Sequence, residues 1–105
     1  MNHEQKNAKE WFLNLRDDLV NTLEIIEGKK FKFKDWNHSG SGGGTMGSIK
    51  GEIIEKGGVN ISTVSGEFSD KMRSRIPGTK ESGKYWATGI SVVLHPFSPL
   101  IPSMH

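Results

Sequence analysis

The final 21 residues, Tyr85 to His105, contain no Lys, Arg, Asp or Glu. Chain ends normally lie at the surface, where charge is abundant. A charge-free end therefore predicts an interior strand whose covering layers lie outside these 105 residues. Alternation makes Tyr85 to His95 the clearest strand of the chain. Trp86, Thr88, Ile90, Val92 and Leu94 point to one face, and Tyr85, Ala87, Gly89, Ser91, Val93 and His95 to the other. Beyond it, Pro96, Pro99 and Pro102 stand at every third position, which forbids helix and predicts an extended, polyproline-like path.

Residues 7–27 carry a different period. Phe12, Leu15, Leu19, Leu23 and Ile26 recur at helical steps and form one apolar stripe, which reads as core packing. Gly28 follows, suited to the left-handed conformation that closes a helix. Lys30 to Lys34 alternates as a short strand, and residues 37–44, rich in glycine, are expected to break regular structure. Met46 to Glu55 and Val59 to Ser65 read as two strands joined by a hairpin at Lys56-Gly57-Gly58. Met72 and Ile76 allow one short helix before Pro77-Gly78. A helix first, antiparallel strands afterwards and no βαβ alternation predict an α+β class.

Composition narrows the function classes. The apolar fraction is 33%, so one thin core is expected, and residues 1–105 read as a single partial domain. With no cysteine, disulfides, thiolate metal sites and cysteine nucleophiles are excluded. No apolar run approaches the roughly 18–20 residues of a membrane span. The start, Met1 to Lys6, is polar with both charge signs, so a soluble cytoplasmic protein is expected. The net charge of +2 is unevenly spread: Lys29, Lys30, Lys32 and Lys34 form one basic run, and Lys71, Arg73, Arg75, Lys80 and Lys84 a second. Such runs are usually a solvated face, and otherwise bind anions such as phosphates or carboxylates.

Among candidate sites, Gly40-Ser41-Gly42-Gly43-Gly44 lacks the Gly-Lys-Ser/Thr ending of a phosphate loop and no helix pattern follows it. The second face of the Tyr85–His95 strand is more informative. Ala87, Gly89 and Ser91 leave a shelf of small side chains with room for a flat ligand. Ser91 and His95 share that face but stand about 13 Å apart along an extended strand, too far for a Ser–His nucleophilic pair. They can still touch different parts of one large ligand. His105 lies ten residues beyond His95, and two histidines bracketing a rigid segment suit acid/base work or metal ligation. Two imidazoles alone leave a metal site incomplete. His3 and His38 fit no pattern and read as surface.

These residues carry a family resemblance. Glu55-Lys56-Gly57-Gly58-Val59-Asn60-Ile61-Ser62, with Gly66, resembles a hairpin of oxygen-dependent coproporphyrinogen-III oxidases. Trp36 followed by Gly42-Gly43-Gly44 is similar to that family's tryptophan and glycine cluster. Ala87 to Pro96, continuing to Pro99, Pro102 and His105, resembles its most specific signature. The likeness runs through residues 36–105.

The resemblance implies a flat antiparallel sheet flanked by helices, in a homodimer. It implies oxidative decarboxylation of two propionates of coproporphyrinogen III to vinyls, giving protoporphyrinogen IX, carbon dioxide and hydrogen peroxide. Molecular oxygen is then the co-substrate, and no flavin, haem or nicotinamide is implied. Some members are described with a divalent metal held by histidines, others without. By the same resemblance Ser91 contacts substrate, His95 is the first metal-or-substrate histidine, and His105 is the proton donor and a metal ligand. The family continues past that last histidine with an Asn-x-Arg segment, further histidines and a substrate-binding arginine. A missing C-terminal segment is thus the expected partner, and without it activity is expected to be incomplete. The alternative is a non-catalytic remnant that binds tetrapyrrole or self-associates. A small basic nucleic-acid-binding domain is disfavoured, because the marked strand faces carry Ala, Gly, Ser and Val where RNA-binding sheets place aromatics.

Overall fold

The computed structural model describes residues 2–77 and 82–105. Its first element, α1, spans His3–Glu27. It starts four residues before the expected 7–27, because Asn2 and Gln5 form a reciprocal cap. The Gln5 N–H donates to Asn2 Oδ1 at 2.8 Å, and the Asn2 N–H donates to Gln5 Oε1 at 3.1 Å. Gly28, at φ 74°, closes the helix as expected. Val20 and Leu23 are its buried residues, whereas Ile26 of the expected stripe is 52% exposed. The last turn instead directs Glu24 and Glu27 at the rest of the chain. The Phe31 N–H donates to Glu24 Oε2 at 2.7 Å, and the N–H groups of Glu52, Ile53 and Ile54 donate to the Glu27 carboxylate.

Four strands follow: β1 Lys32–Asn37, β2 Ser41–Ile49, β3 Ile54–Glu67 and β4 Lys84–Pro96. They form one antiparallel sheet in the order β1-β2-β3-β4, which bears out the α+β expectation. Between β3 and β4 lies α2, a single turn at Asp70–Arg73 capped by Ser69. Ile76 falls outside that turn, and Gly78 and Lys80 lie outside the described residues.

Three expectations are corrected. The glycine run does not break structure, because Ser41 to Gly44 belong to β2 and pair with β3. The hairpin lies at Lys50–Ile53, where Glu27 collects the turn's N–H groups, and Lys56-Gly57-Gly58 run inside β3. The proline-rich segment does not extend; it turns, with the Ile101 N–H donating to the Ser98 carbonyl at 3.2 Å, and returns to β4. Within these residues β4 lies at the edge of the sheet.

One face of the sheet meets α1. Val20, Leu23, Phe31, Ile49, Ile54 and Val59 form the core there, with Ile90, Val92 and Leu94 of β4 packed against it. That is the apolar face assigned to β4 from alternation. On the other face no helix packs among the described residues.

Candidate functional site

The second face of β4 is the open one, so Ser91 and His95 project away from α1. The returning segment adds a third residue. Leu94 and Met104 exchange both backbone hydrogen bonds, at 2.8 and 2.9 Å, as an antiparallel bridge. The bridge sets Met104 on the side of Leu94, so the neighbouring His105 shares the face of His95. Their Nε2 atoms stand 2.9 Å apart, with ring centroids at 4.9 Å. Such a contact has one Nε2–H donating to the bare Nε2 of the other ring. The two histidines singled out in the sequence therefore do meet, and Ser91 lies on the same face further along β4.

Those two imidazoles are half of a tetrahedral ligand set. Among the described residues no group of three or more His, Cys, Asp or Glu could hold a metal ion. The pair alone does not make a closed metal site.

Register shows what else shares the open face. Asn60 of β3 lies opposite Ser91, Ser62 opposite Gly89, and Lys56 opposite His95. On the far side of β3, Gly44 pairs with Ser62 and, across β2, with Trp36. A side chain on Gly44 would collide with the Ile61 carbonyl oxygen and lie 2.8 Å from Trp36 Cζ2, so Trp36 lies across β2 where the strand has no Cβ. There the Trp36 Nε1–H donates to Asn60 Oδ1 at 3.0 Å. Near the far end, Tyr85 lies over Gly66, stacks on Phe68 at 4.6 Å and shares a 2.6 Å hydrogen bond with His38 Nε2. Reading His38 as plain surface is thus corrected: it is partly buried against Tyr85. Neither Asn60 nor His38 was separable by residue type, and only the cross-strand register brings them to this face.

The first basic run borders the same face. Lys29, Lys30, Lys32, Lys50 and Lys56, with one carboxylate, Glu55, line a hollow of about 600 Å³. It lies at the His95 end, since Lys56 is the register partner of His95.

The family model described as Coproporphyrinogen III oxidase matches residues 7–105. The chain belongs to that family. Among curated oxygen-dependent coproporphyrinogen-III oxidases it is 51% identical to that of Rickettsia felis, over 93% of this chain and 39% of the relative. It is 51% identical to the Rickettsia typhi enzyme, over 100% of this chain and 42% of the relative, and 52% identical to that of Rickettsia akari over 90% and 38%. The chain thus spans about two fifths of the length of the oxidases it matches. All of β1–β4, and with them the histidine pair and the Trp36–Asn60–Ser91 row, fall inside the matched range.

Proposed function

We propose that this chain carries part of the substrate site of a coproporphyrinogen III oxidase, with Ser91 contacting the tetrapyrrole and His105 acting as proton donor. The observation that carries the reading is the 2.9 Å pairing of His105 with His95 on the open face that also bears Ser91. Each of the two reacting propionates loses its carboxylate as carbon dioxide and gives up a hydrogen with two electrons as the vinyl forms. Molecular oxygen accepts those electrons and becomes hydrogen peroxide, taking up one proton from the site per decarboxylation. An imidazole side chain is suited to deliver it, as imidazolium, and His95 can accept a hydrogen bond from it. The excess of lysines over Glu55 in the hollow at the His95 end favours a ligand bearing several carboxylates.

Two imidazoles do not complete a metal site, so no step is assigned to a metal; His95 and His105 would contribute two ligands where further ones are supplied. Coproporphyrinogen III, a homodimer or a C-terminal segment covering the bare sheet face, and a cytoplasmic setting belong to the same proposal. Among the described residues no helix is long and apolar enough to cross a membrane.

The test is aerobic turnover of coproporphyrinogen III, read as protoporphyrin fluorescence after oxidation. The chain is assayed alone and together with the C-terminal portion of a Rickettsia relative. Activity is expected in the combined sample, and His105→Gln is expected to lower it by about 10²–10⁴-fold. Turnover that His105→Gln leaves unchanged overturns the assignment.

A further inference from the structure

On the open face, Asn60 is held in one orientation by a neighbour that can act in only one way. An indole N–H is a donor without acceptor capacity, so the 3.0 Å contact from Trp36 Nε1 must end on the amide oxygen of Asn60. That fixes the amide, which otherwise has two nearly equivalent settings. With Oδ1 turned to Trp36, Nδ2 carries two N–H donors that meet no partner among the described residues. Asn60 is only partly buried and stands opposite Ser91 on the adjacent strand, with Ser62 two residues along the same face. The backbone beneath is held by the β2–β3 and β3–β4 ladders, so the donor is presented from rigid structure.

We infer that Asn60 is a substrate-binding residue whose Nδ2 donates to a propionate carboxylate of the tetrapyrrole beside Ser91, and that Trp36 is its positioning residue. The inference rests on the tetrapyrrole reading above. A pyrrole N–H is itself a donor and gives Nδ2 nothing to bond, whereas a carboxylate oxygen accepts and strengthens the bond with its charge. The same donor bonds the acid more strongly than a neutral ester of the same ring, whose carbonyl oxygen carries no charge.

Fluorescence titration of the 105-residue chain with coproporphyrin III and with its tetramethyl ester tests this. Asn60→Asp keeps an oxygen for the Trp36 N–H but sets a carboxylate where the donor was. It is expected to weaken coproporphyrin III binding by about tenfold to hundredfold and binding of the ester, which loses one uncharged hydrogen bond, by no more than about fivefold. Trp36→Phe is expected to weaken binding of the acid in the parent chain and to add nothing in an Asn60→Ala background. If Asn60→Asp lowers folding as judged by near-ultraviolet circular dichroism, Asn60→Ala replaces it in the acid-to-ester comparison. Equal loss for acid and ester, or no loss for either, overturns the role of Asn60. Absence of saturable binding of either porphyrin by the unsubstituted chain overturns the tetrapyrrole reading itself.

Discussion

Glu27 ties the end of α1 to the β2–β3 turn through one carboxylate, which accepts the N–H groups of Glu52 at 2.6 Å, Ile53 at 3.1 Å and Ile54 at 2.8 Å. Desolvation raises the pKa of this group, but the donors from Ile54, Ile53 and Glu52, with the charge of Lys29, more than offset it. The carboxyl is left below its usual range. A depressed folded-state pKa contributes stability that is fully present above the unfolded-state value and is lost as pH falls through the folded one. The thermal midpoint is therefore expected to decline as pH drops below the ordinary carboxylate range. Glu27→Gln should lower the midpoint at neutral pH and flatten that acid decline; an unchanged acid slope would remove Glu27 from the account. At this scale the sequence was readable where residue type and strand parity suffice. Ser91 and His95 share a face because they are four apart, and that parity holds. Asn60 and His38 were not readable, since their partners, Trp36 and Tyr85, are 24 and 47 residues away and meet them only through the sheet.

The elements themselves followed their periods. The helix and β4 stand where 3.6-residue and two-residue repeats put them, and the apolar face of β4 is the face that meets α1. Glycine is where the reading failed. Gly57 and Gly44 look like turn residues, yet both lie inside strands to make room for a neighbour. A Cβ on Gly57 would stand 2.6 Å from Ile49 Cγ2, and one on Gly44 would press on Trp36. Composition records the missing side chain without saying whether backbone freedom or a neighbour's bulk requires it. Where β3 crosses the core, Val59 is 1% exposed and surrounded by the α1–sheet contact. Val59→Ala removes two buried carbons and is expected to cost about 2 kcal/mol in urea unfolding. A much smaller loss would mean that α1 collapses onto the gap, and thus that the helix is loosely held.

Seen whole, the chain is thin. Its radius of gyration is 16.9 Å, against about 13 Å for a compact domain of roughly this length, and it measures 50 × 28 × 20 Å. The excess follows from two layers, α1 and the sheet, with no helix packed on the second sheet face among the described residues. The two edges of that sheet differ in protection. On β1, Lys32 and Lys34 place charge on the edge, whereas β4 carries none from Tyr85 to Pro96 and, among the described residues, is bridged at Leu94 by Met104. Beside β4 the return segment exposes Phe97, Ile101 and Leu100, the last 91% exposed. An unpaired, uncharged edge next to apolar surface favours pairing with another strand. The 105-residue chain is therefore expected to sediment as a dimer or larger species at micromolar concentration. Ala87→Lys, which sets a charge on β4 among residues of the open face, should shift it toward monomer. The β1 edge serves as the control: Lys34→Ala should change the sedimentation profile less than Ala87→Lys does. A parent chain that stays monomeric, or association that Ala87→Lys leaves untouched, would show that the β4 edge and the face behind it are not the surface through which copies meet.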